Sequence, residues 1–289
     1  MEGRTRVITP DQDPMKQLWD TSVGTAPGRG RLEGRRILVI GAGQRPTPDP
    51  ATTIGNGRAM SLLFSREGAA VALADMDLAA AEETALLIAA DSGGKSAVLQ
   101  ADVSKEAEIH ALFDKAKAAL GGLDGVVCNV GISIGRKLDN ETQETWNHVV
   151  NVNLTSHMLS AQRALVDMDV GGSIVFISSG ASISPLGGNP AYEASKAALS
   201  ALARSVAKAG QERGIRANVL APGLLDTPMG RAATARNPAR GTRPVPFGRQ
   251  GTAWEMAYAV LFLMSHEASY VNAQTLLLDG GANSNIVSL

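Results

Sequence analysis

Two side chains four residues apart could move a proton. Tyr192 and Lys196 stand in the run Ala191-Tyr192-Glu193-Ala194-Ser195-Lys196, and a helix with that spacing puts both on one face, one turn apart. A free phenol has a pKa near about 10, too high for a good acid or base at neutral pH, and a neighbouring ammonium stabilises its phenolate. The stretch opens on Ser179, just after the apolar run Ile174-Val175-Phe176-Ile177, and a hydroxyl there can donate or accept a hydrogen bond. Taken alone, the pair fits a surface helix better than a site, because a Y-x-x-x-K pattern is short. The elements that carry it must decide.

Those elements alternate. Strands are expected at Ile37-Ile40, Ala70-Ala74, Ser96-Ala101, Gly125-Cys128, Ser173-Ser178, Arg216-Leu220 and Thr275-Leu278. Helices are expected at Arg58-Glu67, Leu78-Ala90, Glu106-Leu120, from about Thr142 to Val166, at Ala191-Gln211 and at Ala253-Met264. Strands alternating with helices of this length imply βαβ units and a parallel sheet covered on both faces. The expected fold is a doubly wound (Rossmann) α/β domain with a mainly parallel seven-stranded sheet. Residues 35–289 form that single domain. Residues 1–34 read as an N-terminal extension, a mobile tail sooner than an arm docked on a partner subunit, with Met15, Leu18 and Trp19 as its apolar anchors.

The first strand runs into Gly41-Ala42-Gly43, and a second glycine pair, Gly55-Asn56-Gly57, opens the next helix. Such glycines let backbone turn tightly and approach a pyrophosphate, whose charge a helix N-terminus favours. About ten residues more than a tight turn needs separate the two pairs. This insert, roughly Arg45 to Thr53, holds Pro46, Pro48 and Pro50, which deny it regular structure. Asp75 follows the second strand, where a carboxylate can bond an adenosine ribose and repel a 2′-phosphate; that favours NAD over NADP. Capping the next helix is its other reading, a role Asp77 could fill instead. Arg45 and Arg58 are the possible phosphate contacts that keep NADP in play.

Composition removes other classes. The 289 residues are 44% hydrophobic and 19% charged, with formal net charge −1, enough for a large core and without a footprint for nucleic acid or anionic membrane. One cysteine fits a reducing compartment. The longest apolar run, Ala257-Met264, is too short to cross a bilayer, and residues 1–34 hold three prolines and no apolar leader core. A cytoplasmic protein is expected. His110, His148, His157 and His266 lack metal-ligand spacing, so no metal is expected. Ser179 sits in no G-x-S-x-G elbow, which argues against a serine hydrolase. Cys128, at a strand end, reads as packed rather than reactive.

With these features in order, residues 35 to 283 resemble the short-chain dehydrogenase/reductase family. The resemblance rests on further segments: Asp102-Val103, similar to the family's adenine contact; Cys128-Asn129-Val130-Gly131, similar to its Asn-Asn-Ala-Gly segment with two departures; Pro222-Gly223 and Thr227, similar to the segment flanking the nicotinamide; and Gln274 to Gly281. Asn153 matches the asparagine of the family's catalytic tetrad. Ser179 precedes Tyr192 by thirteen residues, the family's usual spacing, which selects it over Ser178. The resemblance implies that Tyr192 exchanges a proton with the substrate oxygen while hydride moves between substrate carbon and nicotinamide. It implies that Lys196 lowers the tyrosine pKa and holds the nicotinamide ribose, that Ser179 orients the carbonyl, and that Asn153 holds a relay water. It further implies a homotetramer and a substrate lid at about 228–250.

That lid stretch lacks periodicity and reads as a loop with Arg231, Arg236, Arg240, Arg243 and Arg249. Five arginines suit an anionic substrate or a clamp on cofactor phosphates; a solvated loop is at least as good a reading. The sequence therefore points to an NAD-dependent enzyme interconverting a small-molecule secondary alcohol and ketone. An NADPH-dependent 3-oxoacyl thioester reductase and a non-catalytic NAD-binding sensor are the alternatives.

Overall fold

The computed structural model describes residues 7–9, 17–44, 53–243 and 245–284. In chain order the elements are β1 (Val7–Thr9), β2 (Leu18–Trp19), α1 (Asp20–Val23), β3 (Arg36–Ile40), α2 (Asn56–Arg66), β4 (Ala70–Asp75), α3 (Leu78–Asp91), β5 (Ser96–Gln100), α4 (Glu106–Leu120) and β6 (Gly125–Cys128). There follow α5 (Gln143–Val150), α6 (Ser156–Asp167), β7 (Ser173–Ile177), α7 (Pro190–Gly210), β8 (Arg216–Pro222), β9 (Leu225–Asp226), α8 (Pro228–Arg236), β10 (Gly251–Thr252), α9 (Ala253–Met264) and β11 (Thr275–Leu278).

Seven strands form one sheet in the order β5-β4-β3-β6-β7-β8-β11, and every neighbouring pair is parallel. A sheet covered on both faces needs strands that are apolar on both sides. All residues of β7 and β8 are accordingly buried. Neighbours along β7 point to opposite cores: Phe176 packs with Phe113 and Leu199 on one face, and Val175 with Met60, Phe64 and Val260 on the other. The chain runs outward from β3 through β4 to β5 on one side, then crosses to β6 and continues outward on the other. At that reversal the chain leaves β3 and β6 toward helices on opposite faces of the sheet, α2 on one and α6 on the other, the usual ligand position in such sheets.

Three expectations need correction. The helix expected from about Thr142 to Val166 is interrupted by a π turn over Asn151–Thr155, between α5 and α6. Such turns recur at functional sites, and this one carries Asn153. Within 228–250 the chain is not all loop: α8 starts behind Thr227, whose hydroxyl accepts from Gly230 N at 3.0 Å, with Pro228 in its first turn. Only Gly230 of α8 is buried, so the helix has no apolar stripe for periodicity to reveal. A short parallel pair, β9 with β10, flanks this region.

The third correction concerns residues 17–34, which are docked and not a free tail. Thr252 Oγ1 donates to Ser22 O at 2.6 Å, and Ser22 Oγ to Glu255 Oε1 at 3.1 Å. Arg66 donates to the carbonyls of Gly24 and Ala26, and Glu67 accepts the backbone N–H groups of Arg29 and Arg31. Gly24, at φ 73°, lies so close to Trp254 that a Cβ would stand 2.1 Å from its ring. Leu18 is half-buried, Trp19 exposed, and Met15 lies outside the described residues; the apolar anchor is instead Leu32, fully buried. Counting apolar residues undervalued the segment because polar groups hold it. Among the described residues, no helix is long and apolar enough to cross a membrane.

Candidate active site

At the carboxyl end of β3 the two glycine pairs meet. A Cβ on Gly57 would stand 1.8 Å from Gly41 O, so only glycine permits this approach. Gly41 has φ +87° and its carbonyl accepts from Asn129 Nδ2 at 2.9 Å, which ties the exit of β3 to that of β6. Gly43 N donates to Asp75 Oδ2 at 2.8 Å, and Gln44 Oε1 accepts from Gly55 N at 2.6 Å. The segment expected as an insert lies almost wholly outside the described residues, but its two ends close on each other. Among the described residues no side chain caps α2, and Asn56 Oδ1 is buried there without a partner. An uncapped helix N-terminus, a glycine cradle and an orphaned polar atom fit a dinucleotide pyrophosphate. Asp75, half-buried at the end of β4, fits the ribose beside it.

Arg58 does not fit the 2′-phosphate role considered for it. It is buried against α3, donating to Glu83 at 2.6 Å, Thr84 Oγ1 at 3.1 Å and Ala80 O at 3.3 Å. Arg45 lies outside the described residues. Asp77, and not Asp75, caps α3 through Ala80 N. Farther along, Val103 is buried, while the Asp102 carboxylate accepts from Ser104 Oγ and N. Those bonds hold its pKa below the ordinary carboxylate value.

At the exit of β7, Ser178 and Ser179 part company. Ser178 is buried and donates to Lys196 O at 2.8 Å, so its hydroxyl is engaged. Ser179 Oγ accepts from Ala181 N at 3.2 Å, and its hydroxyl stands near enough to the Tyr192 phenol to oppose the upward push of burial on it. Tyr192 and Lys196 occupy the first turns of α7, with Lys196 Nζ 6.0 Å from the phenol ring centre. Lys196 is 2% exposed and donates to Ile177 O at 2.8 Å and Val130 O at 3.5 Å. Gly131 leaves room for it, since a Cβ there would stand 3.0 Å from Nζ. Asn153 is fully buried; its Nδ2 donates to Ile132 O at 2.9 Å and Ser195 Oγ at 3.2 Å, and its Oδ1 accepts from Ile132 N at 2.8 Å. Pro222-Gly223 closes over Ser179's neighbour: a Cβ on Gly180 would stand 3.4 Å from Gly223 Cα.

Burial dominates the electrostatics. It pushes the Lys196 ammonium down to about 8, so the group is charged at neutral pH and loses its proton under alkaline conditions. Burial also pushes the Tyr192 phenol upward, opposed by the nearby Ser179 hydroxyl and the positive charge of Arg240. Cys128, buried in the core behind Lys196, is pushed up to about 12 and stays a thiol. Among the described residues no group of three or more His, Cys, Asp or Glu side chains could hold a metal ion.

A family model described as enoyl-(acyl carrier protein) reductase matches residues 51–283. The chain belongs to the short-chain dehydrogenase/reductase family. It is 36% identical to 3beta-hydroxysteroid dehydrogenase 1 of Eggerthella lenta over 86% of this chain and 94% of that protein. It is 34% identical to the 3-oxoacyl-[acyl-carrier-protein] reductase of Escherichia coli over 86% and 98%. A short-chain dehydrogenase from Burkholderia cenocepacia, solved in complex with NADP, superposes with TM-score 0.79 at 31% identity, covering 88% of this chain and 99% of that one. As a short-chain dehydrogenase/reductase the protein is an oxidoreductase of a family that acts on CH–OH or carbonyl groups with a nicotinamide cofactor.

Sequence reasoning missed how the lid arginines divide. Arg231 pairs with Asp226 and Arg249 with Glu255, while Arg236 and Arg243 are exposed. Arg240 alone of the five has its charge felt at Tyr192. It also missed Ile132, whose backbone is the partner that fixes Asn153. Neither carries a local sequence signal: one is a residue type repeated five times, the other a backbone contact.

Proposed function

We propose that this enzyme interconverts a secondary alcohol and a ketone with NAD, using Tyr192 as the acid or base. The observation that carries the reading is Tyr192 with Lys196 Nζ 6.0 Å from its ring centre and the Ser179 hydroxyl beside its phenol, at the carboxyl ends of β6 and β7. The nicotinamide, when bound, supplies or accepts the hydride. Tyr192 gives its phenolic proton to the carbonyl oxygen in reduction and takes the hydroxyl proton in oxidation. Ser179, beside the same phenol, donates to the carbonyl and fixes its orientation. Lys196 holds the ribose hydroxyls and stabilises the phenolate. The Asn153 amide is engaged by Ile132 and Ser195; a relay water would rest on its backbone carbonyl, while the amide positions the loop that Lys196 bonds.

For the cofactor, Gly41, Gly43, Gly55 and Gly57 line the pyrophosphate turn, and residues 45–53 are an insertion in the sequence between its two halves. Asn129, Gly131, Asp102 and Val103 complete the adenosine and nicotinamide contacts. Pro222, Gly223 and Thr227 flank the nicotinamide, with the Thr227 hydroxyl already engaged as a helix cap. NAD is favoured because Asp75 presents a carboxylate where NADP carries a phosphate, and because Arg58 is occupied by Glu83. The 3-oxoacyl reductase reading draws on the Escherichia coli relative, and the NADP complex of the Burkholderia relative keeps the other cofactor as its companion. Measuring affinity for both cofactors separates the two. NAD is expected to bind at least about tenfold more tightly, and Asp75→Ala to erase the difference. Preference for NADP would overturn the assignment. We further propose one catalytic domain over 35–289 with its lid at 228–250, residues 1–34 as its extension, a homotetramer testable by light scattering, and a cytoplasmic location.

A further inference from the structure

We infer that Arg240 anchors a carboxylate on the substrate, beside the carbonyl or alcohol that Tyr192 serves. The inference rests on the proposed alcohol–ketone reaction, whose site it extends. Of the five lid arginines, Arg231 and Arg249 are bound to Asp226 and Glu255 at 2.7 and 2.5 Å. Arg240 is different. It is half-buried, and its Nη1 donates to Gly230 O at 2.9 Å and Thr234 Oγ1 at 2.8 Å, both neutral acceptors. Among the described residues no carboxylate pairs with it. A partly desolvated guanidinium without an anion is an unbalanced charge, and its planar fork suits a two-oxygen acceptor.

Its position narrows what that anion belongs to. The guanidinium packs on the first turn of α8, where a Cβ on Gly230 would stand 3.5 Å from Nη2 and 3.2 Å from Thr227 Oγ1. Thr227 follows Pro222-Gly223, which closes over the segment after Ser179. From there the charge reaches the Tyr192 phenol, and the exposed Arg243 adds positive charge to the same region. The pyrophosphate already has its own cradle at Gly41, Gly57 and the start of α2, so a cofactor phosphate is the poorer occupant. Large apolar side chains are exposed on both flanking segments: Ile183 and Leu186 after Ser179, and Met229 on α8. A hydroxy or oxo acid with an apolar body matches that combination of one cation and an apolar rim.

Calorimetric titration of the full chain, saturated with NAD, with hexanoate and with hexanamide tests this. Hexanoate is expected to bind at least about tenfold more tightly than the amide, as for a hydrogen bond to a charged group. Arg240→Ala is expected to reduce hexanoate to the amide's affinity with NAD affinity unchanged. Arg240→Lys is expected to keep part of the preference, and the exposed-residue control Arg236→Ala all of it. Equal affinities in the unaltered protein, or no hexanoate binding, would overturn the inference. So would a loss of NAD affinity in Arg240→Ala, which would assign the guanidinium to the cofactor. Turnover of neutral ketones, compared between the unaltered protein and Tyr192→Phe, reads the alcohol–ketone reaction separately. Tyr192-dependent turnover without a hexanoate preference removes only the anion site; Arg240-dependent hexanoate binding without any turnover removes only the reaction.

Discussion

Lys196 and Arg240 bring positive charge toward the same tyrosine from unlike surroundings. Lys196 is enclosed by the sheet, bonded to two strand-end carbonyls and backed by a fully buried Asn153 that itself clamps Ile132. Arg240 hangs from one turn of a lid helix whose only buried residue is a glycine. The first charge is fixed by many contacts that cannot change singly; the second is fixed by two. Chemistry common to a reaction class can be built into the rigid half, whereas selection among substrates suits the half that tolerates change.

The comparison can be broken at several places. The largest expected effect is in the rigid half: Gly57→Ala drives a methyl into Gly41 O, which is backbone and cannot yield. NAD affinity should fall by at least about a hundredfold, as measured by titration, because the pyrophosphate turn is displaced. Asn153→Ala leaves the Ile132 N–H and C=O without their partners, and denaturant titration should show a loss of about 2–4 kcal/mol. Arg231→Ala, in the lid, removes an exposed ion pair and should cost less than about 1 kcal/mol. Equal losses from the two would dissolve the distinction.

A subtler effect concerns pH. Arg240 opposes the upward push of burial on Tyr192, so Arg240→Ala should raise the phenol's pKa further. Alcohol oxidation needs the phenolate, whose population grows as pH rises. The acid limb of the oxidation profile should therefore move to higher pH in the variant, and a move to lower pH would contradict the electrostatics. The smallest effect is at Cys128: with its pKa near 12 and its side chain buried, it should not react with a thiol reagent until the protein unfolds.

What the sequence reveals divides along the same line. Strands β6 and β11 and helices α4 and α9 have the bounds expected of them, because short apolar runs bounded by turn residues and helical apolar periodicity are local signals. Tyr192, Ser179, Lys196 and Asn153 come together because their spacing is read against a fixed topology. The π turn under Asn153 is invisible, since it changes hydrogen bonding without changing the apolar pattern. Helix α8 is invisible because it buries almost nothing, and the docking of residues 17–34 because Ser22, Glu67 and Glu255 do the holding. The fates of the five arginines depend on where Asp226 and Glu255 lie in space, which no periodicity encodes.

The central claim is that Tyr192 performs the proton transfer. Its most direct test follows NADH absorbance over cyclic, steroid-like, sugar and hydroxy-acid alcohols, with the unaltered protein and with Tyr192→Phe. The account predicts turnover of at least one secondary alcohol, and a fall in kcat of about a thousandfold or more in the variant with NAD affinity intact. Turnover that survives in Tyr192→Phe, or NAD binding without oxidation of any alcohol in the panel, would contradict it.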